Sequence, residues 1–182
     1  MSSHLVTPSQ TVGPFFHDCM LRDDVRRDVI AGDAAGPLIR VDGRVLDGDG
    51  VAVPDAVIEV WQAAGFARVG TDEHGRFSFT TVRPRPVPFD HTTTQAPHLS
   101  VAVFARGLLN HLFTRIYFQD EPATNADPIL GRVPEGRRRT LVATLEPGAG
   151  LTPAYRFDIV LQGDAETVFF DFTSSRPWPR PR

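Results

Sequence analysis

Imidazole is the side chain in this sequence best suited to holding a metal, so its spacing is the first thing to read. Six histidines stand at positions 4, 17, 74, 91, 98 and 111. Two imidazoles two residues apart on a strand point to one face and can share one metal. No such H-x-H pair occurs, and the residue two positions beyond His98 is Ser100, which cannot replace a nitrogen donor. His98 therefore reads as a satisfied polar histidine rather than a ligand. Zinc would need clustered Cys and His, and these are absent. A serine nucleophile at a strained turn would be announced by something like G-x-S-x-G, which is missing too. The single Cys19, in the run HDCML, has no cationic or glycine-rich setting and reads as an inert buried thiol.

Guanidinium is the other informative group. All 19 basic residues are arginine, so Schiff-base catalysis and a Walker-type phosphate loop are excluded. Arg106 precedes Gly107 at the end of an alternating run, where a forked guanidinium could grip a ligand carboxylate in bidentate fashion. An ordinary surface ion pair is the competing reading. Arg137, Arg138 and Arg139 read as a solvated loop.

The elements that position these groups follow from periodicity. Residues 1–37 show little alternation beyond a short helical spacing at Leu21, Val25 and Val29, and read as an irregular arm. From Leu38 the period becomes two, with Ile39, Val41 and Val45 on one face and Arg40, Asp42 and Arg44 on the other. The turn Asp47-Gly48-Asp49-Gly50 follows, and a second strand runs from Ala56 to Trp61. Further alternating runs cover 76–82, 98–106, 112–118, 140–145, 155–162 and 167–172. In the 98–106 run, Leu99, Val101, Val103 and Ala105 form a core face, and His98, Ser100, Ala102, Phe104 and Arg106 a mixed one. Eight short strands with Pro- and Gly-rich connections predict an all-β, two-sheet β-sandwich over 38–172. Residues 173–182 read as a Pro- and Arg-rich tail that cannot form a helix or central strand.

A chain of 182 residues is enough for one domain with a real core. A net charge of −3 gives no general attraction for polyanions, which argues against nucleic acid. No apolar run approaches the roughly 20 residues of a membrane span, and the first ten residues lack the basic and apolar regions of a leader. The lone cysteine agrees with a reducing compartment, so the expectation is a cytoplasmic protein.

Several long blocks in order carry a resemblance. GRVLDGDGVAVPDAVIEVWQA, TDEHGRFSFTTVRP, APHLSVAVFARGLLNHLFTRIYF and AYRFDIVLQGDAETVFFDF, preceded by TPSQTVGPFF, resemble the intradiol ring-cleavage dioxygenases from about Thr7 to Phe172. The resemblance implies non-haem Fe(III) held by two tyrosinates and two histidines in the iron-bearing subunit. This chain departs from that pattern at Val87 of Arg85-Pro86-Val87-Pro88, at Ser100 of Pro97-His98-Leu99-Ser100, and in the stretch after Trp61-Gln62-Ala63, read as a short loop without tyrosine. Its two tyrosines, Tyr117 and Tyr155, match structural positions. The resemblance therefore implies a non-iron α subunit whose β partner holds the Fe(III). It also implies that Thr11, Gly13, Pro14 and Arg106 line the substrate cavity at the α/β junction, with no metal ligand or catalytic residue complete in this chain. The implied reaction is cleavage of protocatechuate by O2 to 3-carboxy-cis,cis-muconate, a step of the β-ketoadipate route of aromatic degradation. Two other readings compete: a prealbumin-like β-sandwich binding module without catalytic role, and an autonomous homo-oligomeric dioxygenase.

Overall fold

A computed structural model describes residues 9–22, 29–30, 36–148 and 150–172. Twelve strands are defined: β1 (Val29–Ile30), β2 (Leu38–Leu46), β3 (Val57–Gln62), β4 (Gly65–Gly70), β5 (Arg76–Val82), β6 (Val87–Pro88), β7 (Thr94–Gln95), β8 (Leu99–Phe104), β9 (Leu112–Phe118), β10 (Val142–Glu146), β11 (Ala154–Arg156) and β12 (Ile159–Val160). A short helix α1 (Pro14–Met20) opens the described chain and α2 (Glu135–Arg138) precedes β10. The protein is mainly β, as its alternation predicts.

The period-two pattern of β2 becomes a burial pattern: Ile39, Val41 and Val45 are inside, and Arg40 and Arg44 are outside. β2 pairs antiparallel with β5 over seven residue pairs and parallel with β11 and β12. β3, β4, β8 and β9 form an antiparallel group in the order β9-β8-β3-β4. The two groups join through β10, which pairs antiparallel with β11 and, for two residues only, parallel with β9. The result is one hydrogen-bonded path, with β6 and β7 as a separate two-stranded ribbon. One core takes side chains from both groups: Ile39, Val41 and Phe79 meet Ile58, Val60, Val101 and Val103. Within β2, Gly43 is needed, because a Cβ there would fall 1.9 Å from the Phe157 carbonyl oxygen.

A second, smaller core of Ala96, Tyr117, Leu130, Val133, Leu141 and Val168 sits under the 122–141 segment. Its polar centre is Asp127, which is buried and accepts four hydrogen bonds. One carboxylate oxygen takes the Tyr117 hydroxyl (2.9 Å) and the Ile129 and Leu130 amides (2.9 and 2.8 Å). The other takes the Ala96 amide (2.8 Å). Four donors satisfy a buried anion that would otherwise be costly.

Several expectations are corrected. The stretch after Trp61-Gln62-Ala63 is the turn and second strand of the β3–β4 hairpin. The 155–162 run breaks into β11 and β12, and the 167–172 run contributes only a bridge from Phe170 to Phe113. The helix of the arm is Pro14–Met20, ahead of the Leu21 spacing, Val29 lies in β1, and Val25 falls outside the described residues. Cys19 is exposed, not buried. The 137–139 arginines fasten backbone: Arg137 donates to the Glu166 carbonyl, Arg138 to those of Gly131 and Val133, and Arg139 to that of Gly136. The 173–182 tail and the first eight residues lie outside the described residues.

Candidate functional site

The first cleft is built by β3, β6 and β8. Ser100 stands opposite Trp61 across the β3–β8 ladder, and His98 immediately precedes β8. These residues and Val87 of β6 line one concavity of about 300 Å³, together with Gln62, Ala63 and Arg85. Thus the positions where the sequence departs from an iron-binding pattern come together in space. His98 is buried, and its Nδ1 lies 2.7 Å from the Ala96 carbonyl oxygen. A carbonyl only accepts, so Nδ1 carries the proton and Nε2 the lone pair. Ala96 is in turn held by Asp127, so the second core orients this imidazole.

Burial, reinforced by the Arg115 guanidinium, holds the His98 pKa below the ordinary histidine value of 6.5, against the opposing pull of the Ala96 carbonyl and Asp127. Burial likewise pushes Tyr117 well above the ordinary phenol range, so its hydroxyl stays protonated and donates to Asp127. For His98 the sign of the stability effect follows. Above pH 6.5 neither folded nor unfolded chain holds the extra proton, and below it the unfolded chain takes one first, so stability falls until the folded imidazole also protonates. The urea-unfolding midpoint of wild type should lose ground to that of His98→Gln between pH 8 and pH 5.5. A constant gap between the two would show that His98 does not carry this linkage.

The second region is where the arm meets the β8–β9 connection. The Thr11 hydroxyl oxygen accepts the Gly107 amide at 2.6 Å, and Ser9 donates to Asn110 at 3.3 Å. Phe16 of α1 packs on Phe104 with ring centroids 5.6 Å apart. Gly13 accepts the Phe16 amide at 3.0 Å as the chain enters α1, and Pro14 opens that helix, a first-turn position where its missing N–H costs nothing. Gly107, at φ 85°, turns the chain after Arg106. The Arg106 side chain is 60% exposed and pairs with Asp55 at 2.6 Å. It stands at the edge of a cleft of about 500 Å³ lined also by Asp47, Val53, Pro54, Leu108 and Leu161. Of the arm residues, Thr11 thereby reaches the Arg106–Gly107 segment, and Gly13 and Pro14 follow it in sequence at the start of α1. A wider groove beside α1 is less suited to a ligand, since its charges already pair internally: Arg76 with Asp72, Arg156 with Asp158, and Asp42 with Arg40.

Comparison with known proteins decides between the readings. A family model described as "Dioxygenase" matches residues 65–163. The protocatechuate 3,4-dioxygenase alpha chain of Burkholderia cepacia is 42% identical over 91% of this chain and 96% of its own length. The chain belongs to the intradiol dioxygenase family. A protocatechuate 3,4-dioxygenase beta chain of Burkholderia cepacia is 32% identical over 85% of this chain and 75% of its own length. Among solved structures, the dioxygenase domain of a Streptomyces carbohydrate-binding fusion protein superposes with a TM-score of 0.59 at 23% identity, covering 76% of this chain and 88% of that one. Membership is not favourable to the binding-module reading.

Intradiol dioxygenases depend on non-haem iron, and the described residues around the His98 cleft do not fit a ferric ion. Around the His98 cleft, Val87 offers no donor, Ser100 offers only a neutral hydroxyl, and the hard anionic oxygens that favour ferric iron are missing. Among the described residues no group of three or more His, Cys, Asp or Glu could hold a metal ion. Tyr117 and Tyr155 are committed elsewhere, Tyr117 to Asp127 and Tyr155 to Asp120 at 2.9 Å and to Arg83. The cleft of this chain thus carries one imidazole, His98, and no carboxylate or phenol beside it. Among the described residues no helix is long and apolar enough to cross a membrane. Sequence reading missed Asp55 and Asp127. The dipeptide Pro54-Asp55 signals a turn but not the partner across it, and nothing local shows that the Asp127 carboxylate is buried.

Proposed function

We propose that this chain is the non-iron α subunit of a protocatechuate 3,4-dioxygenase, completing the substrate pocket at its interface with an iron-bearing β subunit. In this reading the β subunit holds the Fe(III), which activates the ring and O2, and protocatechuate is opened between its hydroxylated carbons to 3-carboxy-cis,cis-muconate in the cytoplasm. The observation that carries it is the convergence of Val87, His98 and Ser100 on one cleft with a single nitrogen donor, in a chain that matches an alpha chain almost end to end.

Within the α/β pocket this chain's own contribution is binding and orientation. Arg106 supplies a permanent cation facing the carboxylate of an anionic substrate, and Thr11, Gly13 and Pro14 supply the neighbouring wall. The arm of residues 1–37 is the segment that reaches the β subunit, and the 173–182 tail lies outside the sandwich domain of 38–172. That domain is read as two layers: β2, β5 and β11 form one and β3, β4, β8 and β9 the other, consistent with a core that draws on both. The test is expression with and without a β subunit. Oxygen uptake with protocatechuate should appear only when both chains are present, together with the red colour of tyrosinate-to-iron charge transfer. Oxygen uptake by the chain alone would favour the autonomous dioxygenase.

A further inference from the structure

The ion pair at Arg106 joins a backbone conformation that its partner residue would ordinarily avoid. Asp55 has φ 62° and is the one non-glycine residue with positive φ among those described. It follows Pro54 in the turn between Val53 and Ala56, the place where a type II turn takes glycine. The turn does not depend on the Asp55 side chain. Pro54 fixes its own φ, and the hydroxyl of buried Thr71 is inserted across the turn, accepting the Ala56 amide and donating to the Val53 carbonyl, both at 2.9 Å. Glycine at position 55 would satisfy this backbone better than aspartate does.

What aspartate adds is a carboxylate 2.6 Å from Arg106 Nη2. Both side chains are well exposed, 60% for Arg106 and 47% for Asp55, and an exposed pair of this kind adds almost nothing to stability. A strained residue whose contact contributes little to stability is explained when the contact serves a site. We propose that Asp55 is a positioning residue for Arg106: it holds one end of the guanidinium so that the other presents its donors to the substrate carboxylate. A long, solvated arginine otherwise samples many rotamers, and fixing it beforehand reduces the ordering cost at binding. The Gly107 amide, bonded to Thr11, fixes the backbone on the other side of the same side chain.

This inference rests on the reading of Arg106 as a substrate-binding group, and its test keeps the two apart. The αβ holoenzyme is prepared with Asp55→Gly, Asp55→Asn or Arg106→Ala, and steady-state kinetics with protocatechuate and the thermal midpoint are measured. Asp55→Gly should raise KM about fivefold with kcat within about twofold, as expected for lost preorganisation of binding, and should unfold no earlier than wild type. Asp55→Asn keeps an acceptor for Arg106 and should recover much of the KM. The proposal is overturned if Asp55→Gly leaves KM unchanged or lowers it while Arg106→Ala raises it, the result expected if the carboxylate merely competes with substrate. If Arg106→Ala itself has wild-type kinetics, the premise fails and the assignment of Asp55 falls with it.

Discussion

Arg106→Ala in the αβ enzyme should raise KM for protocatechuate by about 10- to 100-fold, because a hydrogen bond between charged partners contributes about 1.5–3 kcal/mol. The effect belongs mainly on KM, since a guanidinium that grips a carboxylate remote from the cleaved bond binds substrate and transition state alike. Iron content should stay at the wild-type level, and folding should change little, because Arg106 is exposed and its pair with Asp55 lies at the surface. Two further readouts separate binding from architecture. Raising ionic strength should narrow the gap between variant and wild type, and catechol, which lacks the carboxylate, should show a much smaller difference. Equal losses on both substrates would point instead to a disturbed α/β junction.

The second large effect concerns stability. Asp127→Ala removes the acceptor of four buried donors at once: the Ala96, Ile129 and Leu130 amides and the Tyr117 hydroxyl. Each buried group left unpaired costs about 1–3 kcal/mol, with partial relief from relaxation, so a loss of about 3–5 kcal/mol is expected. For a chain of this size that corresponds to a fall of roughly 10 °C in the thermal midpoint. The amides cannot turn elsewhere, because they belong to the tight turns that follow Asp127 and to the entry of β8. Asp127→Asn should retain part of the network through its side-chain oxygen and fall between. Thermal unfolding monitored by far-UV circular dichroism on the complex gives the comparison. A midpoint for Asp127→Ala within 2–3 °C of wild type, less than about 1 kcal/mol, would remove Asp127 from the role of hub.

How much of this was legible in the sequence depends on the range of the physics involved. β2 was readable because its two faces meet different media, and Ile39, Val41 and Val45 declare the core by parity alone. The core face of β8 was readable for the same reason. β4 was not, because Gly65 and Gly70 bracket a run in which only Ala67 and Val69 are inside, too little contrast to stand out from a loop. The 167–172 run has the alternation of a strand but finds a ladder partner only at Phe170, since pairing depends on what lies beside it. The parallel pairing of β11 with β2 joins residues more than a hundred positions apart and leaves no local signature.

The candidate site divides in the same way. The donors missing at Val87 and Ser100 are visible residue by residue, whereas their convergence with Trp61 on one cleft is a product of the β3–β8 register and the placement of β6. Arg106 could be picked out by its type and its following glycine. Asp55, which faces it from a turn fifty-one positions earlier, could not.

Metal analysis tests the central claim most directly. The chain purified by itself, after exposure to ferrous iron and air and then gel filtration, should retain far less than one iron per chain, while the complex with a β subunit should hold about one iron per αβ pair, coordinated as a four-ligand site requires. Stoichiometric iron in the isolated chain would contradict the account.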